Sequence, residues 1–476
     1  MLGQGSRHSE HDWARAEFGA ADLGDRRRTA RLVELARQLG ERPEASLPQA
    51  LEDGAALKAA YRFFDNAEIA HERILASHVV SSLERMRGRE VILAVQDTTF
   101  IDYSTHLATA GLGPLHTKGG HGMICHGTLA FTPERLALGV LSLRLWARDA
   151  NQPKRRATRR RRAIEDKESH KWIDSVQAVA ALKERLPGTR LVSVADRESD
   201  VYEFFTAAQA LGVEVLTRAA WNRNVEGPEA QVFATLAAAP VVAHKQLALP
   251  ARGKRKARTA KLEIRACPLV LQAPLHGSGR GLPPLALWGV WAYEPQPPAG
   301  VEPLDWKLLT SVPVTSGEQA LERLEWYAAR WGIEQWHRIL KDGCQIEMRQ
   351  LESAKRLERL LTVYAVIAWR ILYATMLARL VPNMSCTAVL QHEEWQALYC
   401  RIHRTPVPPA TAPPLKQAIR WIAQLGGFIG RAHDGEPGSQ TLWQGFQELI
   451  PMTEMYRIMK PYIQYPSPQP KNVGND

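Results

Sequence analysis

The stretch that decides the fold is REVILAVQD, residues 89–97, an apolar run that ends in Asp97. A short continuous apolar run bounded by a polar residue is typical of a strand that is buried on both faces of a sheet. A second run of this kind, RLVSVAD at 190–196, ends in Asp196. Between them the sequence predicts two more strands, at MICHGTLAFT and ALGVLSLRLWA, and then an amphipathic helix over 167–186.

Further along the chain, SDVYEFFTAAQALG predicts a helix and VEVLTRAA a strand. The resulting order is three strands, then helix, strand, helix and strand. This order favours an α/β class with a mixed central sheet and helices on its faces. Residues 224–314 break the pattern with strand-like pieces and many prolines, so we interpret them as a β-rich insertion.

The remaining sequence is predominantly helical. With 476 residues the chain is too long for one core. We expect a helical domain over 1–70, a core over 71–380 that contains the insertion, and a C-terminal helical domain over 381–476. The segment 356–380 predicts one long apolar helix, buried within the protein because charged residues interrupt it.

Charge indicates a polyanionic partner. The net charge is +11, and basic residues concentrate in KRRATRRRR at 154–162 and RGKRKARTAK at 252–261. Such segments favour phosphate contacts, although a basic solvated surface is the ordinary alternative. The five cysteines form no CxxC pair, which argues against a zinc site or a disulfide framework. With no signal-peptide core and no run long enough to cross a bilayer, we expect a cytoplasmic, nucleoid-associated protein and no membrane partner.

The two strand-end aspartates are candidate metal ligands. If their strands are neighbours, both carboxylates lie at one edge of the sheet, where ligands collect. Carboxylate oxygens suit Mg²⁺ or Mn²⁺ rather than zinc. An aspartate that closes a strand commonly just caps a turn, and that role stays open for each of them.

A third acid is found in YAARWGIEQWHRILKDG, residues 327–343. On a regular helix, with about 100° per residue, an arc of about 60° contains one acid, a hydroxyl and two cations. These residues are Tyr327, Arg330, Glu334 and Lys341. They could hold a metal in the middle and phosphates on either side, but a charged solvated face has the same spacing. His337 is interpreted as structural or as a polar neighbour of this face, and Gly332 as a site of close packing.

Together these residues resemble the DDE transposases of the insertion-sequence-four family. The family signature Tyr-x2-Arg-x3-Glu-x6-Lys matches 327–341 at every position, in register with the two aspartates. LGDRRRTARL and AAYRFF resemble the family's N-terminal DNA-binding domain, and DKESHKW, RGKRKARTA and WKLLTSVPV resemble its middle. The resemblance implies a ribonuclease-H-like catalytic core with a β-rich insertion.

The resemblance also implies the chemistry. Asp97, Asp196 and Glu334 would be catalytic and would ligate two Mg²⁺ ions per active site, with Mn²⁺ as a substitute. One ion would activate the attacking oxygen and the other would stabilise the leaving 3′ oxygen. Water would nick the transposon end, the freed 3′-hydroxyl would form a hairpin, and the reopened end would be transferred into target DNA.

DNA contacts follow from the same resemblance. Trp306 would stack on a flipped base, while Tyr327, Arg330, Lys341 and Arg218 would hold nearby phosphates. Arg28, Arg31 and Arg62 would contact the inverted repeat, and the C-terminal domain would form the homodimer that synapses two ends. Two other hypotheses remain open at this point. One is a nuclease of the same fold that performs no strand transfer, and the other is a catalytically silent DNA-binding repressor.

Overall fold

The computed structural model describes residues 12–51, 53–116, 119–149, 164–249, 251, 256–431 and 434–463. The arginine-rich stretch 154–162 and the first part of the second basic stretch, 252–255, lie outside the described residues.

A ten-stranded mixed sheet forms the centre of the protein. Its strands are β1 Val91–Asp102, β2 Gly113–Pro114, β3 His121–Phe131, β4 Ala137–Trp146, β5 Arg190–Ala195, β6 Glu214–Arg218, β7 Val241–Leu249, β8 Arg258–Leu271, β9 Leu285–Tyr293 and β10 Asp305–Thr310. Their order across the sheet is β2-β3-β1-β5-β6-β10-β9-β8-β7, and β4 also pairs with β3. The β1–β5 and β5–β6 pairs are parallel, and the remaining pairs are antiparallel.

Helices precede, cover and follow this sheet. They are α1 Trp13–Phe18, α2 Arg26–Glu41, α3 Leu47–Leu51, α4 Gly54–Asp65, α5 His71–Met86, α6 His170–Ala180, α7 Tyr202–Leu211, α8 Val232–Ala238, α9 Gly317–Ala328, α10 Trp331–Arg338, α11 Ala354–Leu380, α12 His392–His403, α13 Leu415–Leu425 and α14 Ser439–Met459. The predicted mixed-sheet α/β class with helical regions at both ends is confirmed.

The described part of the stretch 224–314 extends the central sheet. It contains α8 and the four strands β7 to β10. Strand β10 pairs with β6 on one side and with β9 on the other, so the hydrogen-bonded ladder continues without a gap. The strand-like pieces of this stretch predicted a β-rich insertion, but they did not predict which edge of the sheet it would join.

The long helix α11 joins the N-terminal helices to the sheet. The most apolar 18-residue window of α11 is 89% buried within the protein. Although α11 is long and apolar enough to cross a membrane, this burial is that of a core helix. Arg359 Nη1 donates to the Phe64 carbonyl at 2.9 Å and its Nε to the Ile69 carbonyl at 2.5 Å. The prediction of a long buried helix is confirmed.

Candidate active site

The two predicted aspartates lie level with each other at the carboxyl ends of neighbouring parallel strands. Strands β1 and β5 pair with Val95 opposite Val194, so the same register two residues later brings Asp97 opposite Asp196. Asp196 Oδ1 accepts a hydrogen bond from the Glu198 amide at 2.9 Å and so caps a short 3₁₀ turn. Asp196 therefore caps a turn and also lies at the sheet edge next to Asp97.

A buried polar layer fixes the strands beneath these acids. Gln96 Nε2 donates to Ser193 Oγ at 2.6 Å, which ties β1 to β5. Gln96 Oε1 accepts from His126 Nε2 at 3.2 Å, and His126 Nδ1 accepts from the Thr98 hydroxyl at 2.8 Å. Burial keeps the pKa of His126 well below its usual range, so the ring is neutral and can make both bonds. The residues on either side of Asp97 are thus held from beneath.

The helix that carries Glu334 is not regular. It begins after Ser316, whose Oγ accepts from the Gln319 amide at 3.2 Å. It is interrupted between Ala328 and Trp331, where backbone hydrogen bonds between residues three apart, as in a 3₁₀ helix, replace the α-helical bonds between residues four apart. The last part, Ile339–Gly343, is a π turn. The single regular helix over 327–343 is therefore a wrong prediction.

Close packing at Gly332 accompanies this irregularity. A Cβ atom at Gly332 would lie only 2.5 Å from the Phe131 ring, so no larger residue fits between helix and sheet without displacement. The signature lysine, Lys341, lies in the π turn. Lys341 Nζ donates to the Phe100 carbonyl and lies 3.1 Å from the Glu347 carboxylate. The lysine therefore contacts the end of β1, three residues beyond Asp97.

Arg330 connects two of the three acids. Its Nη2 donates to Glu334 Oε1 at 2.5 Å, and its Nη1 lies 3.6 Å from Asp97 Oδ2. Tyr327 is buried beside Arg330, and burial raises the pKa of its hydroxyl. The structure therefore brings Asp97, Asp196, Glu334, Arg330 and Tyr327 into one neighbourhood, with Lys341 at its margin.

The carboxylates in this neighbourhood repel one another. Burial raises the pKa of Asp97 to about 6, and the charges of Asp196 and Glu334 add to the rise. Burial likewise raises the pKa of Asp196, against the lowering effect of the Arg330 and Lys171 charges. Buried carboxylates with raised pKa values are stabilised by any cation placed between them.

The donor set fits a hard divalent cation. Three carboxylates and no sulfur ligand are the chemistry that Mg²⁺ and Mn²⁺ prefer. Their arrangement is looser than a finished metal site, since the described part of the chain contains no group of three or more His, Cys, Asp or Glu side chains gathered around one metal position. The Glu334 carboxylate points towards Arg330 and forms a salt bridge with it.

Gly127 links the strand of Asp97 to the helix of Glu334. It lies opposite Asp97 in the antiparallel β1–β3 ladder. A Cβ atom at Gly127 would lie 2.8 Å from the ring of Trp336, two residues after Glu334. Trp336 is fully buried and donates its indole N–H to the Ala365 carbonyl at 3.0 Å. The absent side chain lets the helix approach the sheet closely enough to bring the glutamate near the aspartates.

Two further predicted DNA contacts lie on the adjacent strands. Arg218 ends β6 and donates Nη2 to the Asp305 carbonyl at 2.8 Å. Trp306, the next residue on β10, is half-buried, with its ring centroid 6.5 Å from that of Tyr327. These side chains therefore continue the neighbourhood of Tyr327 across β6 and β10.

The predicted N-terminal contacts lie on separate helices, α2 and α4. Arg28 pairs with Glu68 and donates to the Leu23 carbonyl at 3.1 Å. Arg62 is exposed, and neither it nor Arg31 forms a salt bridge with a described residue. The structure thus leaves two of these three guanidinium groups without an acidic partner in the described ranges.

Sequence reasoning missed two residues near the acids. Lys171, in the DKESHKW stretch, is 7% exposed and lies 3.3 Å from Glu198, and its charge acts on Asp196. Trp331 follows Arg330 directly and is 46% exposed. A buried lysine and an exposed tryptophan are both unusual, but exposure cannot be read from a single sequence.

Three sequence families match the chain. The family described as Transposase DNA-binding matches residues 10–69, Transposase DDE domain matches 156–370, and Transposase Tn5 dimerisation domain matches 366–465. Asp196 and Glu334 lie inside the DDE match, whereas Asp97 precedes it. The mixed sheet is accordingly the ribonuclease-H-like core of that domain. The chain belongs to the Tn5-like DDE transposases.

Proposed function

We propose that this transposase cuts its own element out of DNA and joins it to a new site at the carboxylates of Asp97, Asp196 and Glu334. The observation that supports this most is the level placement of the two aspartates on neighbouring parallel strands, with Arg330 connecting Asp97 to Glu334. Such a carboxylate group at a sheet edge suits metal-assisted phosphoryl transfer.

The three carboxylates would hold two Mg²⁺ ions, for which Mn²⁺ would substitute. When bound, the ions supply charge that activates the attacking oxygen and stabilises the leaving 3′ oxygen. The chain's own contribution is positional. The buried layer of Gln96, Ser193 and His126 holds the aspartates level, and Gly127 lets the helix of Glu334 approach them.

Cations around the acids would hold the DNA backbone. Arg330, Arg218 and Lys341 would bind phosphates, and the Tyr327 hydroxyl would add a hydrogen bond. To bind a phosphate, Arg330 would release Glu334 and contact the DNA instead. Trp306, half-buried beside Tyr327, would stack on a base turned out of the duplex, a contact worth about 1 to 3 kcal/mol.

The reaction would proceed in four steps at this single site. Water attacks the end phosphodiester and frees a 3′-hydroxyl. That hydroxyl attacks the opposite strand and closes a hairpin, a second water reopens the hairpin, and the 3′-hydroxyl then attacks target DNA. Each step is an in-line exchange at phosphorus, so one set of carboxylates serves all four and no covalent bond to protein forms.

The helical regions would supply recognition and assembly. Arg28, Arg31 and Arg62 in the region 1–70 would contact the inverted repeat. The region 381–476 would form the homodimer that pairs two ends around the core at 71–380, with its insertion at 224–314. Support comes from exposed apolar residues on α14, namely Met455, Ile458 and Met459. The protein would act in the cytoplasm, on the nucleoid.

The test is cleavage of the element's own ends. Purified protein is incubated with Mg²⁺ and a DNA fragment that carries the inverted repeats flanking its gene. We expect hairpinned ends, and joined products when target DNA is added. Nicked ends without joined products would indicate a nuclease, and binding without cleavage would indicate a repressor.

Glu334→Gln tests the assignment of the site, because it removes one negative charge at nearly constant volume. We expect cleavage to fall at least about a thousand-fold, since a metal ligand contributes several kcal/mol to such transition states. End binding, measured by gel shift, should stay near the wild-type level. Wild-type cleavage by this variant would refute the site.

A further inference from the structure

An exposed tryptophan lies beyond the end of β6, one strand away from the acids. Trp221 is 65% exposed, although large aromatic side chains are usually covered. It follows Arg218 by three residues, and Arg218 continues the β5–β6 register opposite Asp196. The indole therefore lies at the same edge of the sheet as the candidate active site.

The loop that carries Trp221 is firmly held by a buried carboxylate. Asp200 Oδ2 accepts from the backbone amides of Ala220 and Trp221, at 2.7 and 2.9 Å. Its Oδ1 accepts from Arg223 Nε at 2.8 Å, and the Asp200 side chain is fully buried. Because the backbone amide of Trp221 is held by a buried carboxylate, the residue is fixed in place at this edge while its ring is exposed to solvent.

The same short segment holds Asp196 and this clamp. Asp196 begins the 3₁₀ turn Arg197–Ser199 and Asp200 ends it. Ser199 Oγ donates to the Asp196 carbonyl at 2.7 Å, which closes the turn. Hydrogen bonds therefore fix the backbone of Trp221 relative to Asp196.

Two arginines at this edge lack a carboxylate partner among the described residues. Arg197 is exposed, and neither it nor Arg218 forms a salt bridge with a carboxylate among the described residues. Burial, together with the charges of Arg197 and Arg330, lowers the pKa of Arg218. Cations that repel one another next to an exposed aromatic ring are the arrangement that binds nucleic acid, with phosphates on the cations and a base on the ring.

We propose that Trp221 is a preorganised stacking contact for a base of the transposon-end duplex next to the scissile phosphate. The inference rests on the proposed function, because it assigns the DNA already engaged by the acids as the occupant. It adds a contact from the loop after β6, separate from Trp306 on β10. Trp221 binds the DNA and does not touch the reacting atoms.

The experiment compares full-length wild type with Trp221→Ala, Trp221→Phe and Leu275→Ala. Leu275 is a matched control because it is a 73% exposed apolar residue on a different loop. The probe is an end duplex with its flanking DNA, in which 2-aminopurine replaces single bases on either side of the cleaved bond. Affinity and 2-aminopurine fluorescence are measured in Ca²⁺, and folding is checked by thermal melting.

We expect Trp221→Ala to bind the end about five-fold or more weakly, as the loss of one stacked base predicts. Fluorescence quenching at one position should disappear in this variant, remain in Trp221→Phe and remain in Leu275→Ala. Equal affinity and unchanged quenching in Trp221→Ala would overturn the inference, and so would a loss seen only with added target DNA.

Cleavage of the same end in Mg²⁺ separates the two proposals. If the wild type cleaves the end while Trp221→Ala binds it normally, only the inference fails. If the wild type neither prefers the end over a scrambled duplex nor cleaves it, the proposed function fails and the inference with it.

Discussion

The two halves of the sheet are buried in different ways. The inner half consists of β3, β1 and β5, and the outer half consists of β10, β9, β8 and β7. In β1 and β5 the residues before the acids are buried on both faces. In β7, by contrast, exposed and half-buried residues alternate. The inner half also contains buried polar side chains, Gln96, Ser193 and His126, each at most 1% exposed. Where backbone is covered on both sides, side-chain position is fixed from every direction.

This contrast explains where the candidate site lies. Carboxylates with raised pKa values need rigid surroundings, because otherwise they turn to solvent and lose the effect of burial. The inner strands provide such surroundings for Asp97 and Asp196. The outer strands lengthen the sheet and place Trp306 beside Tyr327, a task that tolerates more movement.

The largest expected difference between the two halves comes from substituting one glycine in each. An added Cβ at Gly127 on β3 meets the rigid Trp336 ring at 2.8 Å, whereas at Gly289 on β9 it meets the flexible ends of Leu236 and Leu269 at the same distance. We expect Gly127→Ala to lower the free energy of unfolding by about 1 to 3 kcal/mol. Gly289→Ala should change it by less than about 1 kcal/mol, since alanine also restricts the unfolded chain.

Urea denaturation of both variants gives these free energies. End cleavage provides the second measurement, because Trp336 lies on the helix that carries Glu334. Gly127→Ala should slow cleavage, and Gly289→Ala should leave it near the wild-type rate. The contrast between the two halves breaks down if Gly289→Ala proves the more damaging variant in both assays.

The sequence predicted the inner half well because its patterns are local. REVILAVQD and RLVSVAD are apolar runs whose burial follows from composition, and each ends at its aspartate. That these two strands are neighbours was an assumption, which the β1–β5 ladder satisfies. The break before Trp331 and the π turn at Ile339–Gly343 have no local sequence pattern that predicts them, and Gly332, next to the break, packs against Phe131 of a distant strand.

The remaining differences also come from tertiary contacts. Helical arithmetic placed Lys341 on the same helix face as Glu334, whereas in the structure Lys341 lies in a π turn and donates to the Phe100 carbonyl. The attachment of β10 to β6 and the exposure of Trp221 have no local sequence pattern. A single sequence predicts which residues are apolar or charged more readily than which distant segments meet.

A smaller effect concerns pH. Because the pKa of Asp97 is raised to about 6 from 3.8, its burial costs stability whenever the carboxylate is ionised. The native state then binds more protons than the unfolded state between these values, so this contribution favours folding below pH 3.8 and is lost as pH rises through about 6. Without metal, Asp97→Asn should therefore gain about 1 kcal/mol over wild type on going from pH 5 to pH 8.

Urea unfolding in a chelator at the two pH values tests this prediction. A difference between wild type and Asp97→Asn that does not change with pH would mean that the carboxylate titrates as an exposed group. That result would remove the rigid, buried character assigned to the inner half at its most important residue.

The most direct measurement counts metal ions. Mn²⁺ binding to the wild-type complex with end DNA, followed by electron paramagnetic resonance, should give two ions per protomer. Glu334→Gln, which retains both strand-end aspartates, should bind fewer ions or bind them at least about ten-fold more weakly. The same number of ions at the same affinity in both proteins would contradict the claim that Asp97, Asp196 and Glu334 form one metal site.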